Sequence, residues 1–598
     1  MKPKNTWFWL AIAAVLFLAI LLHHRFASPP ATSPVKVLPG LNAAAVTSVQ
    51  VQPKGQLLIR AERTNHTWRL TQPVPYPAQA ASIQSLLAAL ERLTPAAFIT
   101  PHERQNRPLV DEAEGLLSPQ AAIAIGQGDY SLQLDVGART APGDQVYLQV
   151  VGVAGVYVVD ADLLKDIPRT KDDWRDTALL GFEGLVFDRL AVTNAGKVLE
   201  LQYEAGNHLW RIVNPPIGAR ADGGRISHLL QQLQTLRVSQ FVSDEPKADL
   251  EAFGLEPPEL ELALARGTNT VALLQFGKSP TNDPALVYAR LLGRNTIVTV
   301  STNALGGWRD PFNAFRAPNV IDLPDSVAAI EVPGPDSFSL QLQATNGWRL
   351  LPLNLPADAG AVKDLLASLG HLSILEPLDA VTAPELARYG LAAPARKYIL
   401  KTGPAEPGAT NPAIAEVDIG ATNQNKVFVR RADETSVYAV NLADLERLPA
   451  AGFQMRERQI WNYSEDDIAR VIIRQPGKVR QLIHTGKGPQ AWSLAAGSDG
   501  AIEPMAVGET VRKLAQLTAT NWVAHGLQSP ARCGFAENGP QITLELMKNG
   551  GKLTVELGGP TPAGSLYGAV TLEGEPWVFE FPTWLAQWIT SFLLPSPP

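Results

Sequence analysis

Apolar and polar positions repeat on a long period, and the clearest mark of it is a Trp-Arg-Leu run. It stands at Trp68-Arg69-Leu70, returns as Trp210-Arg211-Ile212 and Trp348-Arg349-Leu350, and persists in weakened form as Trp492-Ser493-Leu494. The steps are 142, 138 and 144 residues. A period-two alternation leads into these runs. Phe338, Leu340 and Leu342 alternate with Ser339, Gln341 and Gln343, and Leu199, Leu201 and Tyr203 alternate with Val198, Glu200 and Gln202. Such alternation predicts a strand with one buried face. Turn formers stand just ahead, at Pro53-Lys54-Gly55, Asn194-Ala195-Gly196, Gly334-Pro335-Asp336 and Gln475-Pro476-Gly477, so each copy opens with a hairpin. In the second copy Pro215-Pro216 then stops the Trp strand, because proline has no N–H to donate.

The period next changes to that of a helix. Ile83, Leu86, Leu87, Leu90 and Leu93 fall on one face, as do Ile226, Leu229, Leu230, Leu233 and Leu236. Val362, Leu365, Leu366 and Leu369 repeat the pattern, and Val511, Leu514 and Leu517 carry it in the fourth copy. Asp222 and Asp358 stand where helix caps belong. A glycine-stopped turn follows, clearest at Phe253-Gly254-Leu255-Glu256-Pro257 and Tyr389-Gly390-Leu391, looser at Gly115-Leu116 and Gly534-Phe535. Strands ending at Gly137, Gly277, Gly420 and Gly558 come next, then strands bearing Tyr147, Tyr288, Phe428 and Tyr567, then one more apolar strand. Arg175-Asp176, Arg309-Asp310 and Arg456-Glu457 are read as closing linkers; the fourth copy has none.

The expected fold is therefore α+β. An N-terminal single transmembrane helix precedes four tandem, mainly antiparallel β modules, each with one main covering helix. The boundaries expected are a cytoplasmic N-terminus at 1–6, the transmembrane helix at 7–23, a Pro-rich tether at 24–44, and modules at 45–186, 187–325, 326–464 and 465–598. Modules of about 140 residues can each bury a core, so four beads with modest interfaces are expected.

The anchor rests on Trp7 to Leu22, apolar without a break and closed by His23-His24-Arg25. Sixteen helical residues rise about 24 Å, a little short of a hydrocarbon core of roughly 30 Å. Trp7, Trp9 and Arg25 suit the two interfaces. A cleaved signal is the competing reading, and the residues after the run make a poor cleavage site. Lys2 and Lys4 favour an N-terminus in the cytoplasm and the bulk of the chain on the periplasmic side of an inner membrane.

Composition narrows the classes. A net charge of −7 gives no basic field, so no nucleic-acid partner is expected. A lone cysteine, Cys533, excludes an intrachain disulfide and any multi-cysteine metal cluster.

The anchor, Trp-Arg-Leu with following proline, Pro77-Ala78 before the Leu-Leu helix, Gly-Leu-x-x-Pro, the strand ending in Ile-Gly and the closing Arg-Asp together resemble the bacterial family called domain of unknown function 4340. The likeness covers nearly everything after Ala44. It implies a single-span envelope protein, similar to the auxiliary subunits of ABC-type and gliding-motility transport systems. Two departures stand out: Glu114 where other copies put an aromatic, and Ser493 in place of the arginine.

No catalytic, cofactor-binding or metal-binding residues are assigned, no cofactor is expected, and the chain is read as not an enzyme. Phe276-Gly277-Lys278-Ser279 resembles the end of a phosphate-binding loop, but Ala272 stands where that loop needs glycine. The histidines, at 23, 24, 66, 102, 208, 228, 371, 484 and 525, lack ligand spacing beyond the adjacent first pair. Asp172-Asp173 and Asp466-Asp467 read as solvated linker charge, and Cys533 as a small buried side chain. The Trp-Arg pairs read as core plus surface, with a four-tryptophan platform for an envelope glycan or peptide as the alternative. The expected partners are the lipid bilayer, through residues 7–23, and membrane transporter subunits. The expected role is a non-catalytic scaffold or accessory subunit of an ABC-type transport or envelope complex.

Overall fold

The computed structural model describes residues 13, 15–17 and 35–594, apart from 106–109, 207, 324–325, 335, 344–346, 404–412, 489 and 527–532. The anchor expected over 7–23 lies outside these, save for 13 and 15–17, which are helical. Among the described residues no helix is long and apolar enough to cross a membrane.

Four antiparallel sheets follow one another along the chain, and the architecture is α+β with four β modules. Module 1 shows the plan. Its strands are β1 (Ser48–Pro53), β2 (Ile59–Thr64), β3 (Thr67–Gln72), β4 (Tyr76–Pro77), β5 (Ala97–Ile99), β6 (Ala121–Gln127), β7 (Tyr130–Arg139), β8 (Gln145–Val150) and β9 (Val156–Asp160). Their order is β4-β3-β2-β1-β6-β7-β8-β9-β5. Two meanders are joined where β1 pairs with β6, from Ser48 opposite Gly126 to Pro53 opposite Ala121. The third sheet repeats this nine-stranded order, and the fourth has the same order without a counterpart of β4.

One main helix covers each sheet: α1 (Ala80–Arg92), α2 (Gly223–Thr235), α3 (Ala359–Gly370) and α4 (Pro504–Ala515). In α1 the residues Ile83, Leu86, Leu87 and Leu90 are buried, each contributing about 1.5–3 kcal/mol by leaving water. The expected caps form: Asp222 Oδ1 accepts from the Arg225 N–H at 2.9 Å, and Asp358 Oδ1 from the Ala361 N–H at 2.9 Å.

The strand after each main helix has no counterpart in the sequence reading. β5 and its equivalents Val238–Ser243, Glu376–Leu378 and Asn521–His525 return to pair with the last strand of their sheet. Two of them, β5 and Glu376–Leu378, have only three residues, and in Val238–Ser243 the burial does not alternate, so no period two shows.

The paired glycines have one physical cause. Gly254 takes a left-handed conformation, φ +66°, at the end of its turn. The strand-ending Gly277 lies back to back with it, so a Cβ on Gly277 would sit 2.2 Å from the Phe253 carbonyl oxygen. Gly137 meets the Glu114 carbonyl and Gly420 the Tyr389 carbonyl in the same way, at 2.2 and 2.1 Å.

One expectation changes. The end of the segment read as a tether belongs to module 1: Val37, Leu38 and Leu41 are buried in its core, and the Val37 N–H donates to the Leu93 carbonyl at 2.9 Å. Its prolines masked that apolar spacing. The four modules also gather into two compact units, Met1–Lys197 with Ser227–Asp310, and Val198–Ile226 with Pro311–Pro598. The division runs through module 2, leaving its hairpin Lys197–Glu204 and Leu209–Asn214 almost wholly with the second unit. Modules 3 and 4 lie together in that unit.

Candidate functional site

The most elaborated chemistry lies where one module hands over to the next. Each of the first three modules closes with a turn ending in an apolar residue and an arginine, Trp174-Arg175, Phe315-Arg316 and Met455-Arg456. The apolar residue lies fourteen positions beyond the end of the last strand in each case, and it is buried. The arginine then bridges to the segment ahead of the main helix, at Ala78, Ala221 and Ala357. A few residues on, the strap bridges to the end of the next main helix, at Arg237, Ser373 and Thr518. The second copy therefore closes at Arg316 and not at Arg309. Trp308-Arg309-Asp310 imitates Trp174-Arg175-Asp176 in sequence, but the Arg309 side chain is 39% exposed and pairs with Glu259 at 3.6 Å.

In the first unit Arg175 is buried and reaches Asp244 at 2.9 Å. Its guanidinium lies 5.0 Å from the Tyr76 ring centroid and 4.7 Å from that of Phe241. Asp244 also accepts from Lys171, and from the Thr296 hydroxyl at 2.9 Å. Burial by itself raises the Asp244 carboxyl, but the bonds from Arg175 and Lys171 outweigh it and hold the group below the usual carboxylate range.

In the second unit Arg316 pairs with Asp379, which also accepts from the Ser436 hydroxyl at 2.7 Å. Arg456 makes a two-pronged pair with Glu573, both contacts at 2.9 Å, and lies 4.1 Å from the Trp577 ring centroid. The Trp522 indole N–H donates to the Arg456 carbonyl at 3.2 Å. A planar guanidinium suits this setting because it pairs edge-on with a carboxylate while its faces stack on rings.

The Arg316 joint is reinforced by a second cluster in the same unit. Arg220 donates to Glu434 at 2.8 Å, to Asp322 at 2.7 Å, and to the carbonyls of Asn319 and Val320 at 2.7 Å each. The Glu434 side chain is fully buried and also accepts from the Tyr438 hydroxyl. Arg211, expected on the surface, is only 12% exposed and bonds Glu204 at 3.0 Å and Asp433 at 2.8 Å. Burial would raise Asp433, yet Arg431 and Arg211 pull it down to about 2. A cavity of about 430 Å³ opens beside the cluster, with His208, Leu209, Arg220, Asp322, Ile414 and Arg431 in its wall. Both guanidiniums there are already committed to protein acceptors, so the cluster is built to fasten.

The family model for the domain of unknown function DUF4340 matches residues 68–208, 210–351 and 348–530. The chain belongs to the DUF4340 family. The matches start at or beside the Trp-Arg runs, so each DUF4340 match carries one closing arginine, Arg175, Arg316 or Arg456. Neither the curated proteins nor the solved structures contain a match.

The other residues weighed from sequence fall into place around this DUF4340 scaffold. Trp68 and Trp492 are buried, and Trp210 and Trp348 are half-buried. The Trp492 indole donates to Glu465 at 2.7 Å. The linker acids do local structural work: Asp173 Oδ2 caps the Arg169 and Thr170 N–H groups at 2.6 and 3.0 Å, and Asp467 caps Ser464 at 3.0 Å. The Lys278 N–H donates to the Phe253 carbonyl at 3.1 Å as its strand passes the glycine pair, and no helix opens there. His525 stacks on Trp577 at 4.1 Å and reaches Glu575 at 2.5 Å; His208 meets Tyr203, and His484 meets Trp492. Cys533 is buried, which pushes its thiol above the ordinary value and away from nucleophilic character. Glu114 pairs with Arg104 at 2.9 Å where modules 2 and 3 instead stack Phe253 on Tyr288 and Tyr389 on Phe428.

Proposed function

We propose that this protein is a non-catalytic scaffold, held by its N-terminal segment in the inner membrane with its modules on the periplasmic side, and that it serves as an accessory subunit of an ABC-type transport or envelope complex. The observation that carries the reading is the recurring arginine joint. A chain whose most elaborate buried chemistry fastens one module to the next is built to hold surfaces at set positions. The apolar run Trp7 to Leu22, flanked by Lys2, Lys4 and Arg25, supports the anchor.

The test is crosslinking of the full-length chain in its native membrane, followed by affinity purification and mass spectrometry. Enrichment of a permease and its ATPase over a control membrane protein of equal abundance is expected. Recovery of abundant bystanders alone overturns the transporter assignment. Protease protection of the modules in intact spheroplasts overturns the periplasmic placement.

A further inference from the structure

Module 4 closes differently from the other three. Counting fourteen positions past its last strand reaches Leu594, and the position held elsewhere by the joint arginine is Pro595. From 581 to 598 there is no charged residue and no histidine. Helix α5 (Thr583–Trp588) runs on into a wider turn over Ile589–Leu593. Its inner face, Leu585, Ala586, Ile589 and Leu593, is locked into the module core. Trp584, Trp588 and Phe592 fall on the other face at a spacing of four, and Trp584 is 44% exposed. Met505, in the first turn of α4, is 65% exposed.

Between α4 and this turn lies a groove of about 580 Å³. Ile502, Met505, Trp588 and Phe592 line it, with Glu503 and Glu509 at its edge. A neighbouring hollow of about 450 Å³ shares Pro504, Met505 and Glu509 and adds Glu465 and Asp466. The basic groups nearby are Arg512, paired with Glu509, Lys513, 5.9 Å from the Trp584 ring, and Lys487, which lines the hollow.

We infer that this groove docks a segment of a partner protein that is apolar on one side and flanked by lysine or arginine. An apolar floor of tryptophan, phenylalanine and methionine inside a polar rim is the anatomy of a protein interface. Methionine adapts to the shape of what it meets, and the locked inner face keeps the stripe from turning inward to escape water. The rim sets the sign: with Glu509 offset by Arg512, the carboxylates of Glu503, Glu465 and Asp466 favour a basic partner and repel anionic lipid headgroups. The joint arginine of the other modules has no counterpart among residues 581–598. The inference deepens the scaffold reading by naming the chemistry of a partner.

Two synthetic helix-forming peptides test it on the full-length chain, one of leucine and lysine, the other of leucine and glutamate. Saturable binding of the lysine peptide is expected, with the glutamate peptide at least about tenfold weaker, a difference of about 1.4 kcal/mol. Met505→Asp, and Glu503→Lys with Glu509→Lys, each weaken the lysine peptide about tenfold, whereas Leu57→Asp, on module 1, leaves it unchanged. Equal binding of both peptides, or no effect at Met505 and Glu503, overturns the inference. So does a Met505→Asp variant whose defect is instead in vesicle uptake or self-association. Crosslinking to transporter subunits that survives Met505→Asp leaves the scaffold reading standing, so the two ideas fail separately.

Discussion

Arg175 Nη2 lies 2.9 Å from Asp244 Oδ2, although 69 residues separate them along the chain. Arg175 closes module 1, and Asp244 follows the edge strand of module 2. The arginine side chain is 1% exposed and the aspartate 11% exposed, so removing Arg175 leaves Asp244 with only Lys171 and the Thr296 hydroxyl to meet its charge. Breaking a buried pair costs about 3–5 kcal/mol, and replacing both partners by apolar groups costs far less. Arg175→Ala is expected to lower the unfolding free energy by about that amount, read from chemical denaturation, and Arg175→Met with Asp244→Leu to recover most of it. An Arg175→Ala protein as stable as the parent would contradict the pairing.

The joint cluster around Asp433 predicts a pH dependence. Its folded value, about 2, is below the ordinary 3.8. A depressed carboxyl contributes stability that is fully present above the unfolded value and lost as the pH falls through the folded one. Acidification from about pH 4 to pH 2 should therefore loosen the Arg211–Asp433–Arg431 contact. Thermal unfolding followed across that range should show a steeper loss in the parent than in Asp433→Asn. Identical slopes would remove Asp433 from the account.

The back-to-back glycines predict a contrast between two alanine substitutions. A Cβ at Gly277 meets backbone atoms of Phe253 and Gly254, which cannot swing aside. Gly277→Ala should cost about 3 kcal/mol or more. Gly267 has positive φ, +58°, and open space around it, whereas Gly277 is not left-handed. Gly267→Ala should cost only about 1–2 kcal/mol, the strain of a left-handed alanine. Equal losses in chemical denaturation would mean that the glycine turn gives way to admit a Cβ and that close approach does not require glycine at Gly277.

Tryptophans that look alike in sequence should differ in weight. Trp492 is 1% exposed and hydrogen-bonded, whereas Trp210 is half-buried beside Tyr203, with ring centroids 5.3 Å apart. Trp492→Ala should cost about 3–5 kcal/mol, and Trp210→Ala clearly less. The reverse order in urea unfolding would contradict the deeper burial of Trp492.

Most of the module was legible because its signals are local. Alternation set the hairpins, the Leu-Leu spacing set α1 to α4, and Asp222 and Asp358 marked helix starts. The joints were not legible. The partners of Arg175, Arg316 and Arg456 lie 69, 63 and 117 residues away; Asp244 and Asp379 each follow the edge strand of the receiving module, whereas Glu573 lies in the turn before its last strand. No spacing links an arginine to Asp244 in one copy and to Glu573 in another. Arg211 was read as surface for the same reason, since Asp433 is 222 residues distant. Arg309 drew attention away from Arg316 because it follows a tryptophan. The buried Val37, Leu38 and Leu41 were hidden among prolines.

Hydrogen exchange on the full-length chain, comparing the parent with Arg175→Gln, Arg316→Gln and Arg456→Gln, tests the arginine joints most directly. Each substitution should speed exchange in the receiving module, at Val238–Ser243, Glu376–Leu378 and Asn521–His525 respectively, as well as in the arginine's own strap. Faster exchange confined to the closing turn of the substituted module, with the next module unchanged, would contradict the claim that these arginines fasten one module to the next.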